Sequence, residues 1–374
     1  MKVCHLISGD LWAGPEVQVH SLLVSLATVP YLDISVIILN EGKLAENLRK
    51  SAFEVKIIEE SKHTFFKILE VLKKELKDKE IDILHTHRYK ENVLGGMIKR
   101  RCKIKRLVQT VHGLSEPFTG IRKLKICLYS ILNQYFTSNY FDKVLTVSFD
   151  IQQKLSRIIA ADKLITIHNA INIASLKVER SADEVKTELG ISKNHPIIGS
   201  VGRMVPIKGY DVFLKAAKLI LEVRPEIKFI LAGDGPLKSE LERKTINMGL
   251  GSAVKFLGFR NDILEIIDCF DIFVVSSYYE GIPIVLLEAM ALKKATVATR
   301  VGGIEEIIED SISGFLVESG DAKGIASVCM ELLDNAQIRG KVEIEAKRRI
   351  AEEFSVEIQK ERVLKLYNEL MNQT

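Results

Sequence analysis

The stretch Ser276-Ser277-Tyr278-Tyr279-Glu280-Gly281-Ile282-Pro283-Ile284-Val285-Leu286-Leu287-Glu288 carries two carboxylates with seven residues between them. It follows an apolar run, Phe270 to Val275, of the kind that forms a buried strand. Pro283 suits the opening of a helix, which puts Glu280 on the preceding loop and Glu288 more than a turn inside. The first turn then offers N–H groups at Ile284 and Val285 that no earlier carbonyl can satisfy. One carboxylate can accept hydrogen bonds from vicinal hydroxyls, as a ribose clamp would, and the other can reach farther along the same ligand. The plain alternative makes both residues solvated charges. Against it, Glu288 interrupts the apolar run Ile284 to Ala291, where a charge is rarely buried idly.

A second constellation, Gly202-Arg203-Met204-Val205-Pro206-Ile207-Lys208-Gly209, follows the strand-like run Ile197 to Val201. Arg203 can fork two oxygens and Lys208 acts as a point charge, a pair suited to a diphosphate. A solvated loop is the alternative. A third, Gly9-Asp10-Leu11-Trp12-Ala13-Gly14-Pro15-Glu16, joins the first strand to a helix. A glycine loop at a helix N-terminus can cradle phosphate. It is equally a strand-to-helix turn, and it matches neither GxGxxG nor a Walker loop. His112 stands just past the strand 106–111, in Val111-His112-Gly113. His85 and His87, in or just after the strand 82–85, are read as facing opposite sides, which speaks against a shared metal. His85 is read as a hydrogen-bonding core residue. With no completing Asp, Glu or Cys cluster, no metal site is expected. Ser148 reads as a helix cap.

These segments need a scaffold that presents strand ends. Short apolar runs at 2–7, 33–39, 54–58, 82–85, 106–111, 143–147 and 163–168 form one strand series. A second lies at 196–201, 227–232, 254–257, 271–275, 295–298 and 314–317. Helical patterns such as 16–28, 64–77, 208–223, 283–293 and 321–334 fall between them. Such alternation predicts parallel sheets covered by helices, whose ligands bind beyond the carboxyl ends of the strands. A polar stretch, Lys177 to Pro196, separates the series. The predicted division is residues 1–180 and 181–354, with a terminal helix (355–374) returning to the first domain.

Composition narrows the class. A 374-residue chain with 47% hydrophobic and 27% charged residues describes a soluble two-domain protein. No apolar run reaches the roughly 20 residues of a membrane span, and the opening segment is too short in its apolar part for a signal peptide. Five scattered cysteines without a CxxC pair predict a reducing cytosol. Residues 99–125 hold nine basic residues against Glu116 alone. Together with the amphipathic stretch that follows, residues 99–132 fit either an anionic membrane surface or a solvated loop and an ordinary packed helix. Nucleic-acid binding is not expected, since interleaved aromatics and a recognition motif are missing.

In order, these motifs resemble the group 1 (family 4) retaining glycosyltransferases. The resemblance rests on Gly14-Pro15-Glu16, Val111-His112-Gly113, Ile167-His168-Asn169-Ala170-Ile171-Asn172 and Gly202-Arg203…Lys208-Gly209. It continues in Leu231 to Pro236, Phe256-Leu257-Gly258, Glu280 to Glu288, Val301-Gly302-Gly303 and Gly314 to Val317. It implies the α/β GT-B fold, two Rossmann-like domains with parallel sheets facing across a cleft. It also implies transfer from a UDP- or GDP-linked sugar to a glycan or lipid-linked acceptor, as in cell-surface polysaccharide or glycolipid synthesis. No cofactor or metal is implied, and the place of action would be cytoplasmic, at the inner face of the membrane if the basic patch binds there. Arg203 and Lys208 would hold the diphosphate, Glu288 the ribose and Glu280 the sugar hydroxyls. Backbone N–H groups of Gly281 to Val285 would contact the sugar and distal phosphate, and Gly14 and His112 would contribute from the other domain. Base contacts would come from around Phe259 and Arg260. Pro15, Ala170 and Asn172 depart from the family pattern. An epimerase on the same fold, or a non-catalytic sugar-nucleotide-binding relative, are the competing readings; GxGxxG-type oxidoreductases are disfavoured.

Overall fold

Two sheets, each all-parallel, organise the chain in the computed structural model, which describes residues 1–9, 12–113 and 121–373, with residues 121–129 as backbone alone. The first sheet contains β1 (Lys2–Ile7), β2 (Asp33–Ile38), β3 (Val55–Ile57), β4 (Ile83–Thr86), β5 (Arg106–Val111), β6 (Lys143–Thr146) and β7 (Leu164–Thr166). Its order is β3-β2-β1-β4-β5-β6-β7. The second contains β8 (Ile197–Val201), β9 (Lys228–Ala232), β10 (Val254–Gly258), β11 (Ile272–Val275), β12 (Ala295–Thr299) and β13 (Phe315–Val317). Its order is β10-β9-β8-β11-β12-β13. In both, the chain starts in the middle, winds to one edge, then returns to wind the other way. The reversal falls at β1/β4 in the first sheet and at β8/β11 in the second.

The strands are apolar on both faces because helices cover both. In the second domain, Phe213, Ala217 and Ile220 of the helix Tyr210–Leu221 pack in one cluster with Phe229 and Leu231 of β9 and Cys329 and Leu332 of the helix Ala322–Asp334. In the first, Leu39, Leu69, Leu72 and Leu94 close one face, and Val3, Leu22, Val108 and Leu145 form a cluster on the other. Gly199 in β8 has a packing reason: a Cβ there would lie 2.1 Å from the Phe270 ring.

The chain divides into two compact units, Met1–Ala170 with Val356–Thr374, and Ile171–Ser355. The division therefore falls earlier than the expected 180/181. The segment after Ala170 already belongs to the second unit: Ile171 bridges Ser355 and its N–H donates to Phe354 O at 3.0 Å. Ser181 caps the helix Ala182–Glu188 through a reciprocal box with Glu184, and Val185 of that helix is fully buried.

The terminal helix, Val356–Asn372, belongs to the first domain. Val363, Leu366, Tyr367 and Leu370 enter the Val3/Leu22/Val108 cluster. Gln359 donates to His168 O and accepts from Gln18, whose other amide atom accepts from Ala170 N–H. Arg106 donates to Leu370 O at 2.9 Å and to Gln373 O, holding the last turn. Leu366→Ala should cost the first domain about 2–5 kcal/mol, as buried Leu-to-Ala changes do. Calorimetry should show one melting transition moving down while the other stays; a uniform shift of both would contradict this assignment of the helix.

Candidate active site

The reversal point of the second sheet gathers the motifs. Arg203 and Lys208 follow β8, whereas Glu280 and Glu288 follow its neighbour β11. Connections leaving two adjacent strand ends in opposite directions open a crevice there. The loop after β8 is pinned from behind: Met204 N–H donates to Asp234 O at 2.8 Å and Leu237 N–H to Met204 O at 3.1 Å. Arg203 projects from this loop as an exposed side chain, with no ion pair or hydrogen bond among the described residues.

Lys208 and Glu280 meet directly. Lys208 Nζ lies 2.6 Å from Glu280 Oε1, with the side chains 22% and 11% exposed. Ser277 Oγ donates to the same oxygen at 2.6 Å. The two loops are joined by further bonds, Tyr278 N–H to Ile207 O at 2.7 Å and Ser276 Oγ to Lys208 O at 3.1 Å. Glycines permit this approach. Gly209 has φ 61° and a Cβ would lie 2.0 Å from Ser276 O; Gly302 has φ 52° and a Cβ would lie 2.0 Å from Glu280 O. Gly303 N–H then donates to Glu280 O at 3.1 Å.

Pro283 precedes the helix Ile284–Ala291, and no side chain caps its start. The first-turn N–H groups of Ile284 and Val285 are therefore not claimed by a capping group, and Gly281 lies on the loop just before. Glu288 is partly buried and, among the described residues, has no hydrogen-bond or ion-pair partner for its carboxylate. Burial pushes its pKa up to about 7. Among the described residues, the site thus holds one neutralised pair, one free cation and one unpartnered acid.

The first domain carries the other candidates. Gly14 opens the helix Gly14–Leu26 after β1. Pro15 has no N–H to offer, and Ala13 N–H donates inward to Glu16 Oε2 at 3.2 Å. Glu16 is fully buried and ion-paired with Arg88, the residue two past β4, so it anchors this turn. Its position within the motif gives no hint of that partner. His112 follows β5; its Nε2 is 3.1 Å from His87 Nδ1, and its Nδ1 is buried with no partner among the described residues. Burial, assisted by the Arg88 charge, drives its pKa down to about 3, so it is neutral.

The expected opposition of His85 and His87 is wrong. Their rings lie 4.7 Å apart and 13° from parallel. Side chains alternate along a strand with period two, so residues two apart share a face. With His5 of β1 they bring ring nitrogens within 4.8 Å of one another, the one such trio among the described residues. These nitrogens are engaged: His5 Nδ1 is 3.0 Å from His87 Nε2, and His85 bonds Tyr367 Oη at 2.6 Å and Thr110 Oγ1 at 2.7 Å. His85 is indeed a hydrogen-bonded core residue. Ser148 caps the helix Phe149–Leu155.

The basic patch is partly consumed by structure. Lys99 and Arg106 pair with Asp142, and Lys105 pairs with Asp82. Arg100, Arg101 and Lys103 remain exposed, and Arg100 and Lys103 line a surface cavity of about 510 Å³ together with Tyr135 and Tyr140. Residues 114–120, and the side chains of Arg122, Lys123 and Lys125, lie outside the described residues. No helix among the described residues is long and apolar enough to cross a membrane. Near the expected base position, Phe259 is exposed, while Arg260 is held by Asp262 and Glu188.

Two Rossmann-like domains with these sheet orders define a GT-B fold. The same fold is seen in Anabaena Alr3699/HepE crystallised with UDP-glucose, at a TM-score of 0.87 and 20% identity, over 99% of this chain and 100% of that one. The chain belongs to the group 1 glycosyltransferases: residues 181–349 match the family model Glycosyl transferases group 1, and residues 13–175 match Glycosyltransferase Family 4. An uncharacterized glycosyltransferase of Methanocaldococcus jannaschii is 30% identical over 78% of this chain and 76% of its own length. The Escherichia coli UDP-Gal:alpha-D-GlcNAc-diphosphoundecaprenol alpha-1,3-galactosyltransferase is 26% identical over 90% and 88%.

Two outcomes test the geometry. Gly302→Ala should cost about 1–3 kcal/mol through its left-handed backbone alone, with the contact on Glu280 O adding to it, read as a lower denaturation midpoint. For Glu288, the folded pKa of about 7 exceeds the ordinary 4.5. The stability it contributes is complete below about 4.5 and lost as pH rises through about 7. Glu288→Gln should therefore gain melting temperature relative to wild type between about pH 5 and pH 8; parallel curves would refute the buried titration.

Proposed function

We propose that the protein transfers a sugar, with retention of configuration, from a nucleotide-diphosphate sugar to a glycan or lipid-linked acceptor, without a metal ion. The observation that carries this reading is the set of charges at the β8/β11 reversal. Among the described residues, an exposed Arg203 without a side-chain partner shares the loop after β8 with Lys208, which pairs with Glu280, and Glu288, its carboxylate likewise without a partner, follows on the helix after β11.

In this reading Arg203 grips two oxygens of the diphosphate, and Lys208 turns from Glu280 toward it. Glu280, released from the cation but still bonded by Ser277, accepts hydrogen bonds from the sugar hydroxyls. Glu288 accepts from the ribose diol, which favours its ionised form. The N–H groups of Gly281, Ile284 and Val285 add donors at the positive end of a helix. Negative charge grows on the leaving diphosphate as the glycosidic bond breaks, so fixed cations there lower the barrier. That is the task a divalent ion performs elsewhere. Gly14 and the neutral His112 are assigned to the donor from the first domain, His112 as a hydrogen-bonding rather than a charged group.

A lipid-linked acceptor is supported by the name of the Escherichia coli relative, which acts on a diphosphoundecaprenol-linked sugar. Arg100, Arg101 and Lys103 are the described residues available to an anionic membrane surface, a weaker footprint than nine basic residues suggest.

A panel of nucleotide sugars in a thermal-shift assay should single out one donor, because binding to the native state raises the melting temperature with affinity. Glu288→Ala should abolish that shift and keep the fold. A panel without any stabilising nucleotide sugar, or an undiminished shift in the variant, would overturn the assignment.

A further inference from the structure

Six side chains of the first domain form a continuous polar line through its interior. Thr110 Oγ1 is 2.7 Å from His85 Nε2, and His85 Nδ1 is 2.6 Å from Tyr367 Oη. Tyr367 Oη is 3.4 Å from His5 Nε2, the longest link. His5 Nδ1 is 3.0 Å from His87 Nε2, and His87 Nδ1 is 3.1 Å from His112 Nε2. The line ends at His112 Nδ1, which is buried and finds no partner among the described residues. It is assembled by topology: β1, β4 and β5 are neighbours, with His5 in register with His85. The terminal helix supplies the tyrosine.

The His5–His87 and His87–His112 ring centroids are 5.3 and 5.4 Å apart, with planes 20° and 27° from parallel. With nitrogens at hydrogen-bond distance, these separations describe rings joined end to end rather than laid face on face. Burial lowers the pKa of all four histidines, so each is a neutral imidazole. A neutral imidazole has one N–H and one bare nitrogen. Every link needs one donor and one acceptor, so the choice made at one ring dictates the choice at the next. Two bare nitrogens, or two N–H groups, meeting at 3 Å inside the core would each cost a buried polar group its partner.

We propose that Tyr367, His5 and His87 are positioning residues that set the tautomer of His112, so that its remaining nitrogen offers a proton or a lone pair according to where Tyr367 directs its hydroxyl. If Tyr367 donates to His85 and accepts from His5, all four histidines carry the proton on Nε2, and His112 presents a bare Nδ1. If Tyr367 donates to His5 and accepts from His85, all four carry it on Nδ1, and His112 presents an N–H. Protons are redistributed, and no net charge is created. A residue of the C-terminal helix thereby controls the hydrogen-bonding sense of a residue past β5. The bearing of this on catalysis rests on His112 contacting the donor sugar; the coupling of tautomers does not.

Long-range nitrogen–proton NMR on histidine-labelled protein reads each tautomer from the large shift between a protonated and a bare ring nitrogen. The wild type should show one tautomer at His5, His85, His87 and His112 alike. In Tyr367→Phe the line is cut. Either choice then leaves one buried N–H without a partner among the described residues, at His5 Nε2 or at His112 Nδ1, so His5, His87 and His112 should still share one tautomer that is no longer tied to that of His85. His85, still bonded to Thr110, should take the Nε2 proton. Mixed tautomers among the four histidines in the wild type, or among His5, His87 and His112 in the variant, would overturn the proposal. So would nitrogen shifts that move on addition of a chelator, which would mean the rings had held a metal. A protein that binds no nucleotide sugar yet shows the uniform set would sink the proposed function and leave the coupling in place.

Discussion

A parallel sheet that begins in its middle must send two neighbouring strands onward in opposite directions, and nothing in the sheet can then cover the gap between their ends. In the second domain that gap lies between β8 and β11. The charged motifs all lie on the connections that leave it. The constraint is geometric before it is chemical: two loops diverge from a common edge, and each can lean toward the other only as far as their backbones allow. Gly209 is where they lean, and Gly302 and Gly303 let the loop after β12 lie close against the Glu280 loop. A Cβ at any of these would fall within 2.2 Å of a carbonyl oxygen of the facing loop. That close packing accompanies the 2.6 Å bond between Lys208 and Glu280.

That bond lets two opposite charges settle against each other in the crevice. A free lysine and a free glutamate in a partly covered crevice would each carry a desolvation cost; together they offset it. Arg203, exposed to solvent, has no such need, and Glu288 avoids it by holding a proton near neutrality. The four groups thus reach tolerable states by three routes: pairing, exposure and protonation. A diphosphate and its sugar would disturb all four at once.

Much of this frame is legible in the sequence. All thirteen strands follow from short apolar runs, because strands buried on both faces leave little room for polar residues. The helix Ala336–Glu353 carried a readable signal, with Val342, Ala346 and Ile350 at spacing four behind an Asn335 cap, yet stands outside the helices predicted above. Partnerships are harder, since no local pattern says which distant residue a charge will meet. Glu16 with Arg88, Lys208 with Glu280 and Arg106 with the last turn of the chain are settled by topology alone. The basic patch shows the same limit: nine positive charges in sequence do not reveal that Asp142 and Asp82 absorb three of those described. The histidine trio is a different case. The alternation of strand side chains, correctly applied, places His85 and His87 on one face from sequence alone, and the sheet order adds His5.

The return of the terminal helix to the first domain has a consequence for how the protein is made. Domains tend to fold as units while the chain is being synthesised, and residues 171–355 contain everything the second domain requires. The first domain, although its strands are translated earlier, lacks Val363, Leu366 and Tyr367 until the second domain has been made. The order of completion is therefore the reverse of the order of synthesis. During that interval the nascent first domain carries an unfilled apolar face and an interrupted histidine line, and a truncation just before Val356 would cripple the domain formed by residues 1–170.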